Sequence, residues 1–318
     1  MINFVTIFDS RFLPQGLALY ISLQRHIPVF KLWVICVDDD AFESLIKLGL
    51  PNIQGVKALD HVDKNLSELF YERSRREFCW TLTPFSHKII FDIDQDIDQI
   101  TYLDADTWFC GSPNAIFDEF ASSRKALMIT DHAYDKPYDQ TEVSGRFCVQ
   151  FIPVIRDRCD LVLDWWGGKC REWCSEIAAN GKMGDQKYLD SWPNLFLDHV
   201  HVLKNLALIQ APWNGNRFDI HDAVLYHFQG LRFIDDSRIR ISGYKISSRV
   251  RRHVYDPYFE DLYQSKLMLR SIGQVIEEQR KYQSFIQRVV LCFAGAIKTG
   301  RIPPMRYRKL SGSLVNDV

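Results

Sequence analysis

The sequence is poor in the short signatures that assign a function at sight. Its eight cysteines include no Cys-x-x-Cys pair. Cys170 and Cys174 stand one helical turn apart in CREWC, with no His or further Cys at zinc spacing, which speaks against a structural zinc. Scattered cysteines of this kind read as reduced, buried thiols of a cytoplasmic protein. No Gly-x-x-x-x-Gly-Lys-Ser/Thr loop is present, and no Gly-x-Gly-x-x-Gly follows the first apolar run. A bound diphosphate would therefore be held by side chains or a cation rather than by a glycine-rich cradle. The Gly-x-Ser-x-Gly nucleophile elbow is missing as well. No apolar run reaches the roughly 18–20 residues that cross a bilayer, and VVLCFAGAI (289–297) is about half that length. The opening MINFVTIF lacks the basic region of a secretory signal, so no leader is expected. A net charge of -1 argues against a general nucleic-acid binder. Internal repeats and low-complexity tracts are lacking too.

What remains is a chain of 318 residues, 47% apolar and 13% aromatic, enough for a full core and one or two domains. Through residue 262 strand-like and helix-like patterns alternate. INFVTIF (2–8), KLWVICV (31–37), NIQGVKAL (52–59), DQITYL (98–103) and KALMIT (125–130) read as strands. LPQGLALYISLQRH (13–26) and AFESLIKLG (41–49), the latter closed by Gly49, read as helices. This alternation predicts an α/β fold with a mostly parallel sheet, whose ligands sit beyond the carboxyl ends of the strands. Residues 263–318 differ: ten Lys/Arg stand against three Asp/Glu. A Pro-free, helical pattern runs through this segment to Lys298. Two readings stay open for it: a helix packed on the domain with a solvated tail, or a peripheral contact to anionic lipid.

Four Asp-x-Asp pairs lie in FDIDQDIDQITYLDADTWF (91–109). Asp92, Asp94, Asp96 and Asp98 alternate with Ile and Gln in a loop before a strand and read as a solvated turn. Asp104 and Asp106 follow the apolar ITYL and precede the apolar TWF. Carboxylates buried there would cost several kcal/mol, which a divalent cation offsets. The plainer alternative is a strand-end turn in which both cap backbone amides. In GDQKYLDSW (184–192), Asp185 is either the N-cap of a helix or, with Gln186, a carboxylate and amide facing a cleft. His227, in AVLYHFQGLRF (223–233), is either a satisfied core histidine or the third member of an Asp/Asp/His set suited to Mn2+ or Mg2+. In APWNGNRF (211–218), Trp213 and Asn214 are either packed in a loop or face a sugar.

Together these stretches resemble the GT-A glycosyltransferases that use nucleotide sugars, and most of all family 8, which includes bacterial lipopolysaccharide hexosyltransferases. The likeness runs in family order from about Asn3 to about Ile234. It implies a Rossmann-like GT-A catalytic domain at 1–262 and a helical, basic C-terminal segment at 263–318. By the same resemblance Asp9 and Phe12 meet the uridine, and Asp104, Asp106 and His227 ligate Mn2+ or Mg2+. Asp185 and Gln186 face the reacting sugar. Gly230 lets the backbone approach the diphosphate, Arg232 takes the family's basic position, and Lys88 meets the donor. Three positions depart from the pattern: Arg11 for a usual Asn, Cys148 for an Asn, and Arg232-Phe233-Ile234 for Lys followed by Pro-Trp. The implied reaction is transfer of a hexose from a UDP-sugar to a hydroxyl of a surface-glycan acceptor, such as lipopolysaccharide or capsule, with retention favoured. The implied location is the cytoplasm, with a peripheral contact to the inner face of the membrane through 263–318. Two alternatives stand beside it: a sugar-nucleotide nucleotidyltransferase, and a non-catalytic binding or assembly subunit on the same fold.

Overall fold

The structure, a computed structural model, describes residues 1–233 and 238–275 and the backbone of 307–309. β1 (Ile2–Phe8) is buried from Asn3 onward, as expected of a strand covered on both faces. A 3-10 turn at Ser10–Phe12, capped by Asp9, leads into α1 (Leu13–His26). β2 (Phe30–Cys36) precedes α2 (Asp39–Leu48). The Asp38 side chain caps α2 and Gly49, at φ +55°, ends it, a left-handed stop that suits glycine. β3 (Ile53–Lys57) and α3 (Lys64–Glu72) follow, then α4 (Arg75–Ile93), opened by a Ser74/Glu77 capping box. The chain continues through β4 (Gln99–Leu103), β5 (Thr107–Phe109), α5 (Asn114–Ser123), β6 (Leu127–Asp131), α6 (Thr141–Ser144), β7 (Phe147–Cys148), β8 (Phe151–Ile155) and α7 (Asp160–Glu172). It closes with α8 (Trp192–Leu195), β9 (Val200–Val202), β10 (Ile209–Gln210), β11 (Leu225–His227), β12 (Arg232–Phe233), β13 (Arg238–Arg240), α9 (Ser248–Val250), α10 (Asp256–Ser271) and β14 (Tyr307–Lys309).

The main sheet has the order β3-β2-β1-β4-β8-β6-β7, with β9 beside β6. Its first four strands are parallel, and β8 runs antiparallel between β4 and β6. Alternate residues of the strands feed two cores, as the pleat requires. Val5, Trp33 and Ile35 pack in one core with residues of α4 and α7. Phe4, Leu32 and Val34 pack in the other with residues of α1, α2 and α5. A second sheet, β10-β11-β5, begins where β4 ends. Between Leu103 and Thr107 the chain leaves the first sheet and enters the second, and Asp104 and Asp106 lie on that turn.

α10 packs along α1. Its buried Asp261 accepts both guanidinium nitrogens of Arg25, at 3.0 and 2.7 Å, and the indole N–H of Trp108 at 2.7 Å. The helix runs straight through position 262/263, where the sequence suggests a boundary.

Three local expectations change. Asp92 belongs to the last turn of α4 rather than to a loop, because the helix persists to Ile93; Asp92, Asp96 and Asp98 are nonetheless exposed. KYLDSW forms a 3-10 turn (Gln186–Ser191) that passes into α8, not one regular helix. The helical and membrane-contact expectations for the basic segment fall largely on 276–306 and 310–318, outside the described residues. Among the described residues no helix is long and apolar enough to cross a membrane.

Candidate functional site

The turn after β4 and the strand β11 build the centre of the site. β11 pairs antiparallel with β5, His227 opposite Thr107, and the Phe228 amide donates to the Asp106 carbonyl at 2.7 Å. This register brings the imidazole to both carboxylates. His227 Nε2 lies 3.1 Å from Asp106 Oδ1 and 3.7 Å from Asp104 Oδ2. His227 Nδ1 lies 2.8 Å from Gln150 Oε1, so the Nδ1–H donates there and Nε2 faces the acids. Tyr102 Oη donates to Asp104 Oδ1 at 3.0 Å. Arg232 Nη1 donates to Asp106 Oδ2 at 3.2 Å, and its guanidinium lies 4.6 Å over the Phe12 ring. Asp104, Asp106, His227, Arg232 and Phe12, far apart in sequence, thus form one contiguous group.

The electrostatics of this group are divided. Burial alone would raise Asp106, but His227 and Arg232 outweigh it and hold the carboxyl well below its ordinary range. His227 is held well above its ordinary value: burial opposes the charge, and Asp106 overcomes it. Asp104 is pushed up to about 7 by burial, against the pull of His227. Asp185 is pushed up to about 8 by burial and then by the nearby Asp104. Cys148 goes the other way: burial opposes ionisation, yet His132 and His227 bring the thiol down to about 6. Asp104, Cys148 and His227 each offer a ligand atom, and the three atoms lie within 4.8 Å of one another. Asp104, which burial pushes toward the neutral form, stands beside Asp106, an imidazole and a thiol, a donor set that a divalent cation would relieve.

Asp185 occupies the N-cap position of its 3-10 turn but caps nothing with its side chain. It is 2% exposed, and its Oδ2 has no hydrogen-bond partner. Its carbonyl accepts from the Trp166 indole at 2.9 Å, which ties the residue to α7. Gly184, at φ +53°, supplies the left-handed residue that turns the chain inward before it. Gln186 turns away from Asp185 to donate to the Ser144 carbonyl at 2.8 Å. Asp9 lies at the end of β1, 4% exposed, and is gripped by Arg11 through Nε at 2.8 Å and Nη2 at 2.5 Å. Gly230 has φ +83°, a conformation other residues rarely take.

Two groups of candidates are placed elsewhere or otherwise engaged. Lys88 is exposed on α4 and lines a cavity of about 150 Å3 with Arg156, Asp157 and Asp160. Arg156 follows Ile155, which pairs with Gln99 at the start of β4, so Lys88 lies at the opposite end of that strand from Asp104. It is His87, the residue before it, that faces inward, with Nε2 3.3 Å from the Ile152 carbonyl. Trp213 and Asn214 both donate to the His132 carbonyl, at 2.8 and 2.9 Å. They are buried packing groups, and the Trp213 ring meets His227 edge-on at 5.4 Å. Of the two readings of Trp213 and Asn214, these contacts match packing in a loop, and Lys88 lies away from the turn that carries Asp104. Sequence reasoning missed Gln150 and His132, and it noted Cys148 only as a departure. The one signal available was that FCVQF puts polar groups at alternate positions of an otherwise apolar run.

No family model matches the chain. An uncharacterized protein of Bacillus subtilis (strain 168), YfnF, is 25% identical over 281 residues, covering 83% of this chain and 91% of YfnF. Among solved structures, the bifunctional glycosyltransferase WbbM in its apo form matches with a TM-score of 0.53 and 12% identity, over 87% of this chain and 52% of WbbM. The apo glycosyltransferase GlyE of Streptococcus pneumoniae TIGR4 matches with a TM-score of 0.50 and 13% identity, over 88% of this chain and 66% of GlyE. The chain has the GT-A fold. Within that GT-A frame the acidic turn follows the carboxyl end of β4, the fourth parallel strand of the sheet, where open α/β sheets keep their ligands.

Proposed function

We propose that the protein is a metal-dependent glycosyltransferase that moves a hexose from a UDP-sugar to a hydroxyl of a glycan acceptor. The observation that carries this reading is the convergence of Asp104 and Asp106, on the turn between the two sheets, with His227 of β11 at a strand end of a GT-A fold. The donor set fits the cation: two carboxylates and an imidazole whose second nitrogen is held by Gln150, the outer partner that metal-bound histidines usually have. Asp104, Asp106 and His227 would hold Mn2+ or Mg2+, and when bound the ion would neutralise charge developing on the UDP leaving group.

The chain's own residues would do the rest. Arg232 would part from Asp106 to meet the diphosphate beside the bare backbone of Gly230. Phe12, whose ring already carries the Arg232 guanidinium, offers an aromatic face for uracil. Asp9 would bind the uridine once Arg11 releases one of its oxygens. Asp185, held near neutral, would donate a hydrogen bond to a hydroxyl of the transferred sugar, and Gln186 would flank it only after leaving the Ser144 carbonyl. Among the described residues no free carboxylate is poised as a base there, and we favour transfer with retention. The acceptor class fits a surface glycan such as lipopolysaccharide or capsule. Residues 263–318 would bring the enzyme to an anionic membrane face on the cytoplasmic side.

The test is calorimetry of UDP binding with and without Mn2+, on the wild type and on Asp104→Asn/Asp106→Asn. Binding that requires Mn2+ and disappears in the double variant is expected. Equal binding in all four combinations sinks the metal role. UDP release from UDP-sugars then separates an enzyme from a binding subunit, and pyrophosphate formation from UTP would identify a nucleotidyltransferase instead.

A further inference from the structure

Cys148 stands in a place that ordinary packing does not account for. It ends β7, pairs across to Thr130 of β6, and is 2% exposed. Ala211 and Trp213 cover one side of it. On the other side its Sγ shares a 4.8 Å neighbourhood with a carboxylate oxygen of Asp104 and a ring nitrogen of His227. A divalent ion with ligand bonds of about 2.0–2.3 Å holds its donors up to roughly 4–4.5 Å apart, so small side-chain shifts would close these three atoms on one ion. Asp106 Oδ1 lies 3.1 Å from His227 Nε2 but is not one of the three mutually close atoms, so it would join the ion only after a further side-chain shift. A second feature points into the same place: Asp185 is buried with Oδ2 unpartnered, and both Asp104 and Cys148 act on it electrostatically.

We infer that Cys148 is a thiolate ligand of the cation held by Asp104, Asp106 and His227, which shifts the site toward thiophilic ions such as Zn2+ and Co2+ and away from Mg2+ and Mn2+. The inference rests on the metal-dependent reading above and deepens it. An all-oxygen set with one imidazole suits the hard ions, whereas a sulfur donor adds affinity for Zn2+ and Co2+. As the Sγ–metal bond forms, any proton still on the sulfur leaves to solvent, so the site sets a thiolate charge against the ion. The supports are in place: Gln150 orients His227, and Tyr102 orients Asp104.

The experiment uses the full chain, stripped with a chelator and titrated with Co2+ in the absence of nucleotide. The wild type should develop the near-ultraviolet charge-transfer band of a cobalt–thiolate bond. Cys148→Ser should still bind Co2+ but lack that band, and its Zn2+ affinity should fall about tenfold or more while Mn2+ affinity changes little. Cys148→Asn serves as the second variant, and near-ultraviolet circular dichroism checks that both keep the native packing. A wild-type Co2+ complex without the band, or a band unchanged in both variants, overturns the thiolate while leaving the metal site standing. No Co2+ binding by the wild type overturns the metal reading and this inference together.

Discussion

A single carboxylate shows how burial decides chemistry at the residue scale. Asp185 has a folded value of about 8 against an ordinary 3.8, because it is buried and faces Asp104. The native state therefore keeps a proton that the unfolded chain gives up from about pH 4 onward. The sign follows: the stability tied to that proton is present at low pH, declines as the pH rises, and is gone above about 8. Asp185→Asn keeps the shape and removes the titration. In metal-free protein the variant should gain on the wild type as pH rises from 5.5 to 8.5, by about 1–3 kcal/mol of urea unfolding free energy. Two parallel stability–pH curves would mean that Asp185 is already charged and paired in the native state. The residues of the site were unequally legible. Asp104 and Asp106 stood out because an apolar strand delivers them. Asp185 stayed ambiguous because an N-cap and a buried acid look alike before the tertiary contacts are known. Lys88 is exposed on α4 near the start of β4, whereas Asp104 follows its end, a separation that local sequence does not reveal. Cys148 passed for a mere departure, since nothing local announces one histidine just past β6 and another on β11.

At the scale of elements, α1 shows a close approach that the helical pattern conceals. Gly16 sits in its first turns, where alanine is intrinsically better by about 1 kcal/mol. A Cβ on Gly16 would lie 2.7 Å from Phe8 Cζ and closer still to Cε1, and Phe8 is buried in the core. Crowding of this kind costs typically 1–3 kcal/mol, so it outweighs the propensity gain. Gly16→Ala should lower the urea midpoint, with a net loss of about 1 kcal/mol, and should weaken UDP binding because Phe8 adjoins Asp9. A variant as stable as the wild type would show that Phe8 can swing aside. Most elements of the first 131 residues were legible because each couples a buried run to explicit punctuation. β1 and α1 match their expected bounds, and Asp38 and Gly49 mark the ends of α2. Of the later elements, α10 overlaps a stretch that reads as helical and β11 one that reads as apolar and β-like, but β7 and β10 are two residues long. Strands that short carry no periodicity and are fixed only by their partners.

For the whole molecule, the question is how α10 is held to the rest of the fold across residue 262/263. The charge shift at residue 263 suggested a boundary, yet charge is a surface property and the helix beneath it is continuous. Asp261 closes a lock between α10, Arg25 of α1 and Trp108 of β5, and Ser265 Oγ donates to the Asp261 carbonyl at 2.8 Å. Tyr258 stacks on Phe228 with ring centroids 3.6 Å apart, directly after His227. Leu269, 2% exposed, belongs to the core that α1 shares with the sheet. A chain ending at Leu262 would lose Leu269, worth about 1.5–3 kcal/mol of burial. It would also lose the helical turn that aims Asp261, and breaking a buried pair costs about 3–5 kcal/mol, less here because Arg25 is half exposed. The chain ending at Val275 keeps all of these. In urea unfolding the shorter truncation should therefore be less stable than the longer by at least about 3 kcal/mol. It should also bind UDP and Mn2+ more weakly, because the strand carrying His227 rests on α10. Equal midpoints for the two truncations would return α10 to the role of an appended tail. The longer truncation is also a partner for the full chain in sedimentation with anionic vesicles; besides charge it removes β14, which pairs with β13.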